Sequence, residues 1–372
     1  MAVSGTITGV RIAGVACTVP ETVVGNEPFA ARFGAEQMAK FEKMVGVKER
    51  RISTAAQTAS DFAYAAAQKL KAKGLWSAED VDGIVFVSQS PDYVLPATAC
   101  VLQKRLGVKT GCLAFDVNLG CSGFVYGLFI ASSLLKMDGV GKVLLLGGDC
   151  IAKLVSPRDP SSAPLFGDAG FAVVLERDES APALQYAYCT DGNGFDAIVA
   201  PGMMMAGRHP VVYSERGDAR QVPFPVTDGD GSKPVLYPDL HMDGMDVFNF
   251  TINEVPDLIK AEIARAGLTA DSVDYFVLHQ ANRFVLKQVA MALGSSMKKV
   301  PVSMDRYGNT SVSSIPLTLC DFNERNPDQG VKTLLMSGFG VGLSWGTLLG
   351  KFDFSVCEPI AQGTEPFDDG IV

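Results

Sequence analysis

The chain has 372 residues, a formal net charge of −9 and 47% hydrophobic residues. At about 100–200 residues per domain, this length suggests two domains or one duplicated fold. The apolar fraction excludes a disordered chain, and the acidic balance argues against a nucleic-acid binder, whose affinity depends on a basic face. Only three histidines, His209, His241 and His279, can supply an imidazole.

The N-terminal residues alternate as in a strand and lack a basic stretch leading into an apolar run, so we expect no signal peptide. The longest apolar windows contain Gly and Ser and are shorter than the roughly 20 residues that a membrane span needs. The eight cysteines form no CxxC or CxxH pair of the kind that binds zinc. We therefore expect a cytoplasmic protein with reduced thiols, no metal and no membrane span.

Strand-like and helix-like stretches alternate along the first half, which indicates the α/β class. The predicted elements are a helix over 58–73, strands over 83–88 and 113–117, a helix over 121–137, and strands over 142–147 and 170–176. Ser60 can cap the first helix and Gly74 ends it. The helix over 121–137 is apolar nearly all round, which predicts a central, buried helix.

The second half repeats this scheme. The string GL…VD…V occurs at Gly74 and again at Gly267, and a strand-like string at Val140 has a counterpart at Val331. The counterparts are about 190 residues apart, which favours an internal duplication over a chance likeness of βα units. We predict an N-terminal half over residues 1–180 and a C-terminal half over 181–372.

Two segments of the second half are irregular. Pro256 interrupts the apolar stretch over 247–264, and proline inside a helix costs about 3 kcal/mol, so we predict two helices with Pro256 opening the second. Residues 203–239 are rich in Gly, Pro, Asp and Arg, which predicts a long surface excursion. We hypothesise that this excursion shapes the substrate mouth.

Cys121 follows a predicted strand and a Leu-Gly turn, at the start of the buried helix. A helix N-terminus offers its dipole and free N–H groups to a thiolate, and the same N–H groups can hold an oxyanion. The alternative is a buried, inert cysteine. The Gly-Cys-Ser-Gly turn gives weight to a nucleophile.

His279 and Asn309 are the candidate partners of Cys121. A predicted strand runs directly into His279, at the usual rim of α/β active sites. His209 and His241 belong to the polar excursion and are expected to face solvent. Asn309 follows a Tyr-Gly turn and, in the duplication, heads the helix equivalent to that of Cys121. A structural polar residue and a plain turn are the respective alternatives.

Two glycine-rich strings, over 165–176 and 338–346, lead into strands and lack the GxxxxGK[ST] pattern, so they do not predict a phosphate loop. We expect their glycines to let two backbones approach closely. One main-chain N–H is then free to point into a site.

Seven strings, taken in order, resemble the β-ketoacyl-acyl carrier protein synthase III type of thiolase-fold condensing enzymes. They are VGVKERR (45–51), LPATACVLQ (95–103), the cysteine turn, FGDAG (166–170), HQAN (279–282), GNTS (308–311) and GFGVGLSWG (338–346). The resemblance covers nearly the whole chain. It implies an α/β fold of two duplicated αβαβαββ halves in a five-layer α-β-α-β-α architecture, and a homodimer.

The resemblance also implies a reaction of fatty-acid biosynthesis. An acyl group moves to a cysteine and then condenses with a malonyl thioester, malonyl-acyl carrier protein, as CO₂ leaves. The family's cysteine, histidine and asparagine fall on Cys121, His279 and Asn309, and its oxyanion hole on the backbone N–H groups of Cys121 and Val341. No cofactor is implied beyond the acyl-CoA or acyl-carrier thioesters themselves.

The family's acyl pocket falls on Leu95, Phe166 and Phe339. Leu95 stands where a type-defining phenylalanine is usual, in a segment that resembles the dimer-side wall of the pocket. The smaller side chain leaves room for a longer or branched acyl group, unless neighbouring side chains fill the space.

The chain departs from the family where many members grip coenzyme A. Lys40 and Met44 stand in place of a tryptophan and an arginine, so the donor is left open between coenzyme A and a carrier. Candidate contacts to either are Lys40, Arg158, Arg283 and Lys287. A local basic patch for carrier docking is expected at Lys40, Lys43, Arg50 and Arg51.

Three other functions are weighed against condensation. The first is acyl transfer from Cys121 to a hydroxyl or amine of a sugar or secondary metabolite. Asn309 argues against it, because stabilising an enolate needs this residue and simple acyl transfer needs it less. The second is a non-catalytic partner subunit, which the complete Cys-His-Asn set argues against. The third is a papain-like protease, which the α/β duplication fits poorly.

Overall fold

The computed structural model describes residues 2–200, 212–213, 220–221 and 240–370. His209 and most of the predicted excursion over 203–239 lie outside these residues. The elements of the first half are β1 Val3–Ile7, β2 Val10–Val19, β3 Val23–Val24, α1 Glu27–Phe33, α2 Ala35–Val45, β4 Arg50–Arg51, α3 Ala59–Ala72, β5 Gly83–Val87, α4 Thr98–Leu106, β6 Leu113–Val117, α5 Gly123–Leu134, β7 Lys142–Asp149 and β8 Ala169–Arg177.

The second half begins with short strands and continues with longer helices and strands. Its elements are β9 Leu184–Thr190, β10 Ile198–Val199, β11 Val212–Tyr213, β12 Arg220–Gln221, β13 His241–Met242, α6 Gly244–Arg265, β14 Tyr275–Leu278, α7 Arg283–Ala292, α8 Met304–Tyr307, α9 Ser314–Arg325, β15 Val331–Gly340, β16 Ser344–Asp353 and β17 Ala361–Gln362. The strands predicted in the first half are all present.

The two halves build matching sheets. In the first sheet, the order β2-β8-β7-β5 joins two antiparallel pairs and one parallel pair. In the second sheet, β9-β16-β15-β14 repeats this order and the same strand directions. The predicted duplication is therefore confirmed.

Five layers result from the packing of helices on these sheets. α3 and α4 cover the outer face of the first sheet, and α6 with α7 covers the outer face of the second. α5 and α9 lie between the sheets. α5 can occupy this position because residues all around it, such as Phe124, Val125 and Leu128, are buried. The architecture is the predicted α-β-α-β-α.

The ends of the chain cross between the halves. The predicted division at 180/181 lies in the loop between β8 and β9. However, β1 pairs with β9 in the second sheet, and β17 pairs with β2 in the first. Each half therefore contributes a strand to the sheet of the other, so the two halves form one fold.

Thr58, rather than Ser60, caps α3. The Asp61 carboxylate accepts from the Thr58 N–H at 2.8 Å, and the Thr58 side chain accepts from the Asp61 backbone, so the two form a capping box. The Ser60 hydroxyl instead donates to Asp92 at 2.6 Å. Gly74 follows the helix at φ 73°, as its role in ending the helix requires.

The prediction that Pro256 starts a new helix is wrong. α6 runs through Pro256 without interruption. Its inner face buries Phe250, Val255, Ile259 and Ile263 against the second sheet, and this burial outweighs the cost of the proline. Within the described residues, no helix is long and apolar enough to cross a membrane.

Thr58→Ala should lower the free energy of unfolding by about 1 kcal/mol, because the first turn of α3 loses its cap. Urea denaturation measures the change. Thr110→Ala, at an exposed position outside any helix, is the matched control and should change stability little. Equal stability of the two variants would show that the capping box contributes nothing.

Candidate active site

A cavity of about 100 Å³ opens where the two halves meet. It brings together residues that are far apart in the sequence. Among its lining residues are Gln89, Cys121, Phe166, His279, Asn309, Ser311, Phe339 and Val341. The three predicted polar residues therefore share one cavity with Val341 and with two of the three predicted pocket residues.

Cys121 lies in the turn between β6 and α5. Burial raises the pKa of its thiol to about 11, although the N–H groups of Val341 and Cys121 and the Ser311 hydroxyl act to lower it. The N–H groups at the helix N-terminus therefore favour the thiolate, as predicted, but they do not decide the resting state of Cys121. Loss of water outweighs the nearby donors, and the cysteine rests as a neutral thiol.

The backbone of Val341 is held beside Cys121 by close packing of two turns. The hydroxyls of Ser122 and Ser344 are 2.6 Å apart, and the Ser344 hydroxyl also donates to the carbonyl of Val341 at 2.8 Å. A Cβ at Gly340 would lie 2.9 Å from the Cys121 sulfur, so only glycine fits there. Both predicted oxyanion N–H groups thus face the Cys121 sulfur.

His279 follows β14 and is 1% exposed. Burial lowers its pKa to about 3, so the imidazole is neutral at physiological pH. Its Nδ1 lies 2.7 Å from the Ser314 hydroxyl, and its ring packs edge-on against Phe339. One ring nitrogen is therefore fixed by the first turn of α9.

Asn309 is fixed through both its backbone and its side chain. Its N–H donates to the carbonyl of Leu165 at 2.9 Å, and its carbonyl accepts from Gly167 at 3.1 Å. Its side-chain oxygen Oδ1 accepts from the Ser311 N–H at 3.0 Å. This bond orients the amide, so that the oxygen faces the backbone and the NH₂ group is the part that can donate elsewhere.

Gly308 makes this arrangement possible. Its φ of 68° is in the left-handed region, and a Cβ there would lie 2.8 Å from the carbonyl of Leu165. The FGDAG and GNTS strings therefore meet backbone to backbone, as the glycine content predicted.

The walls of the cavity are mainly apolar. Beyond Phe166 and Phe339 they include Ile151, Leu165, Ile198, Leu240, Met242, Val247, Phe248 and Val285. Leu95 does not line the cavity of the single chain, and 80% of its surface is exposed. His241, expected to face solvent, is only partly exposed and lies on β13, next to the lining residue Met242.

The basic residues predicted to contact the donor lie on the surface. Lys40 is exposed and pairs with Glu36 at 2.8 Å, and Arg158 is exposed in the loop before FGDAG. Arg283 and Lys287 are exposed on α7, which packs against α2. Arg283 directly follows the lining residue Asn282, so this face adjoins the cavity.

Arg50 contradicts the predicted basic patch. It is fully buried, and its guanidinium donates to the carbonyls of Val24, Gly25 and Pro164 and to the side chain of Asn26. A buried guanidinium bonded in this way supports neighbouring loops and cannot dock a partner. Within the described residues, no cluster of His, Cys, Asp and Glu could hold a metal ion.

Sequence reasoning missed the polar groups behind the three central residues. Ser311 positions Asn309, Ser314 holds His279, and Asp149 lies buried near Cys121. Two signals were available. Ser311 belongs to the GNTS string, and Asp149 ends a strongly apolar strand at the rim where α/β sites form.

Comparison with known proteins places the chain in a family. Residues 115–192 match the model of 3-oxoacyl-[acyl-carrier-protein] synthase III, and residues 263–352 match the model of its C-terminal part. The chain is 33% identical over 347 residues to β-ketoacyl-[acyl-carrier-protein] synthase III of Streptococcus mutans, covering 93% of this chain and 100% of that protein.

Another relative, the enzyme of the same name from Xanthomonas campestris, is 33% identical over 92% of this chain and 98% of its own length. The crystal structure of a 3-oxoacyl-(acyl-carrier protein) synthase from Burkholderia xenovorans superimposes with a TM-score of 0.88 at 37% identity, covering 97% of this chain and 99% of that one. These similarities extend over nearly the whole chain. The chain therefore belongs to the 3-oxoacyl-[acyl-carrier-protein] synthase III family of acyl-condensing transferases.

Proposed function

We propose that this enzyme condenses an acyl group with a malonyl thioester, using Cys121 as nucleophile and His279 with Asn309 as hydrogen-bond donors. The observation that carries the assignment is the orientation of Asn309. Its Oδ1 is occupied by the Ser311 N–H, so its NH₂ group is the side available to a thioester oxygen. An acyltransferase that makes no enolate has less need of this donor.

In the first half-reaction, the Cys121 sulfur attacks the acyl thioester and the donor thiol leaves. The tetrahedral oxyanion lies within reach of the Cys121 and Val341 N–H groups, which already face the sulfur. Two backbone donors fixed by the packing of Gly340 need no rearrangement as the charge forms. The product of this step is an acyl-cysteine.

In the second half-reaction, the malonyl thioester loses CO₂ and an enolate develops on its carbonyl oxygen. Nδ1 of His279 lies 2.7 Å from the Ser314 hydroxyl, and we assign Nδ1 as the acceptor of that hydrogen bond. The proton of the neutral ring is then on Nε2, which donates a hydrogen bond to the enolate oxygen. Asn309 is the second donor. The resulting carbanion attacks the acyl-cysteine and gives the β-ketoacyl product.

The apolar walls of the cavity suit an acyl chain, and the face of α2 and α7 suits the donor's polar portion. Lys40, Arg283 and Lys287 are exposed on these two helices, and Arg283 directly follows the lining residue Asn282. Their charges complement a phosphopantetheine arm or an acidic carrier. Coenzyme A and carrier protein both fit this chemistry, and neither requires a further cofactor.

The exposed edge of the first sheet supports a homodimer. β6 pairs only with β5 among the described strands, and its residue Leu113 is 39% exposed. An apolar edge strand invites pairing with another chain. Asp116 of β6 accepts from the N–H groups of Thr98 and Ala99, so the segment that carries the exposed Leu95 lies beside this edge. In a dimer, Leu95 would line the acyl pocket of the second copy.

The eight cysteines are all free thiols, which suits a reducing cytoplasm, and we place the enzyme there.

Cys121→Ala and Asn309→Ala should separate the two half-reactions. With butyryl-coenzyme A or butyryl-carrier protein, intact mass should show one acyl group on the wild type and on Asn309→Ala but none on Cys121→Ala. CO₂ release from malonyl thioester should fall about 10²–10³-fold in Asn309→Ala.

Cys189→Ala, which removes a partly exposed thiol outside the cavity, is the matched control and should acylate normally. Acylation of the wild type without CO₂ release would favour transfer to a hydroxyl or amine. Failure of the wild type to acylate with either donor would favour a non-catalytic subunit.

The pKa of His279 predicts a specific loss of stability in acid. The folded state keeps this ring neutral down to about pH 3, whereas the unfolded chain takes up a proton below about pH 6.5. The contribution of His279 to the free energy of unfolding is therefore fully present above pH 6.5 and is lost as the pH falls. At pH 5 the loss is about 2 kcal/mol relative to neutral pH. His279→Gln should show a shallower decline between pH 7 and 5 in urea denaturation. Identical declines would contradict a buried neutral ring.

Sedimentation equilibrium should give a particle of twice the 39.5 kDa chain mass. Leu113→Lys should weaken the dimer about tenfold or more, because it places a charge on the pairing edge. Val331→Lys, at an exposed valine of the other sheet, is the control. A monomeric wild type, or equal effects of the two lysines, would contradict pairing through β6.

A further inference from the structure

Asp149 is a buried carboxylate that the fold does not explain. It ends β7, is fully buried, and lies close enough to Cys121 for its charge to raise the pKa of the thiol. Its Oδ1 accepts three hydrogen bonds, from the Ser88 hydroxyl at 3.0 Å, the Gln89 N–H at 2.8 Å and the Ser90 hydroxyl at 3.1 Å. Its Oδ2 is also buried but makes no hydrogen bond of normal geometry. A half-satisfied buried carboxylate is costly, so it calls for a function.

Ser311 lies between Asp149 and Cys121. Its hydroxyl interacts with both groups and acts to lower the pKa of each. Its position is enforced by the backbone. Ser311 has a φ of 50°, which a serine rarely adopts, and a Cβ at Gly120 would lie 2.9 Å from the Ser311 hydroxyl oxygen. The chain thus holds a strained serine whose hydroxyl lies against the cysteine turn.

The first half-reaction needs a group that accepts the thiol proton. Cys121 rests as a neutral thiol, and His279 is a poor base because burial lowers its pKa to about 3. The Nδ1 of His279 is also engaged with Ser314. Asp149 is the better acceptor, because burial raises the pKa of its carboxyl.

We propose that the Ser311 hydroxyl relays the proton of the Cys121 thiol to Oδ2 of Asp149 when Cys121 is acylated, a role that rests on the function proposed above. The S–H bond of Cys121 breaks as its proton moves to the Ser311 oxygen, and the original Ser311 proton moves to Asp149. The sulfur then attacks the thioester. The departing thiolate of the acyl donor takes a proton from Asp149 through Ser311, by the reverse path. The donor leaves as a thiol, and Asp149 is again a carboxylate.

The relay also solves an electrostatic problem. Ionising Cys121 while Asp149 is charged would place two anions in one dehydrated cavity. Moving the proton from Cys121 to Asp149 keeps the net charge of this pair at −1 throughout. The same negative charge that disfavours a free thiolate at rest therefore disappears at the moment the thiolate is needed.

Rapid-quench mass spectrometry of Cys121 acylation by butyryl-coenzyme A and butyryl-carrier protein tests the relay. Asp149→Asn keeps an oxygen for the three donors, and Ser311→Gly suits the φ of 50° while removing the hydroxyl. Both should acylate at least ~10²-fold more slowly than wild type. Cys189→Ala, which removes a partly exposed thiol outside the cavity, is the control and should stay within about threefold.

Decarboxylation of the malonyl thioester distinguishes loss of the relay from a general structural defect, because a structural defect would slow this reaction as well. Measured in a Cys121→Ala background, it should be unaltered by Asp149→Asn, because no thiol proton moves in that step. Normal acylation in Asp149→Asn and Ser311→Gly, or equal slowing of both partial reactions by Asp149→Asn, would overturn the relay. Failure of the wild type itself to acylate would instead overturn the proposed function.

Discussion

The mainly apolar enclosure of Cys121 and His279 is the constraint on which the rest of the site depends. Desolvation keeps the thiol protonated and the imidazole neutral. In so apolar a site, each charge that forms during the reaction must be met by donors of the protein itself. The fixed N–H groups, the oriented amide and the neutral imidazole are the consequence of that requirement.

The duplicated fold supplies these donors from equivalent places. α5 and α9 are the two central helices, and Cys121 and Asn309 lie in the turns that precede them. Because the helices lie between the same two sheets, their starts meet at one cavity. The crossing of β1 and β17 between the sheets joins the halves at their ends and helps to fix this meeting point. The geometry of the site therefore depends on the packing of both halves.

Sequence predicted the features that depend on local pattern and order. Strands such as 113–117, the central helix and the duplication follow from periodicity and repeated strings, whereas the Cys121, His279 and Asn309 set follows from the resemblance to the family's motifs. It could not predict the balance between desolvation and nearby donors, so it did not show that the thiol of Cys121 rests protonated. It also could not weigh tertiary packing against the cost of Pro256, or know that Arg50 points inward. Partners from distant segments, such as Ser314 for His279, exist only after folding.

The proposed mechanism depends on a neutral His279 that carries its proton on Nε2 and donates a hydrogen bond to the developing enolate. The most direct measurement is the ¹⁵N NMR spectrum of histidine-labelled enzyme at pH 6, with the signals of His279 identified by their absence in His279→Gln. The account predicts a neutral ring whose Nε2 carries the proton and whose Nδ1 accepts from Ser314. A cationic ring, or a proton on Nδ1, would contradict it.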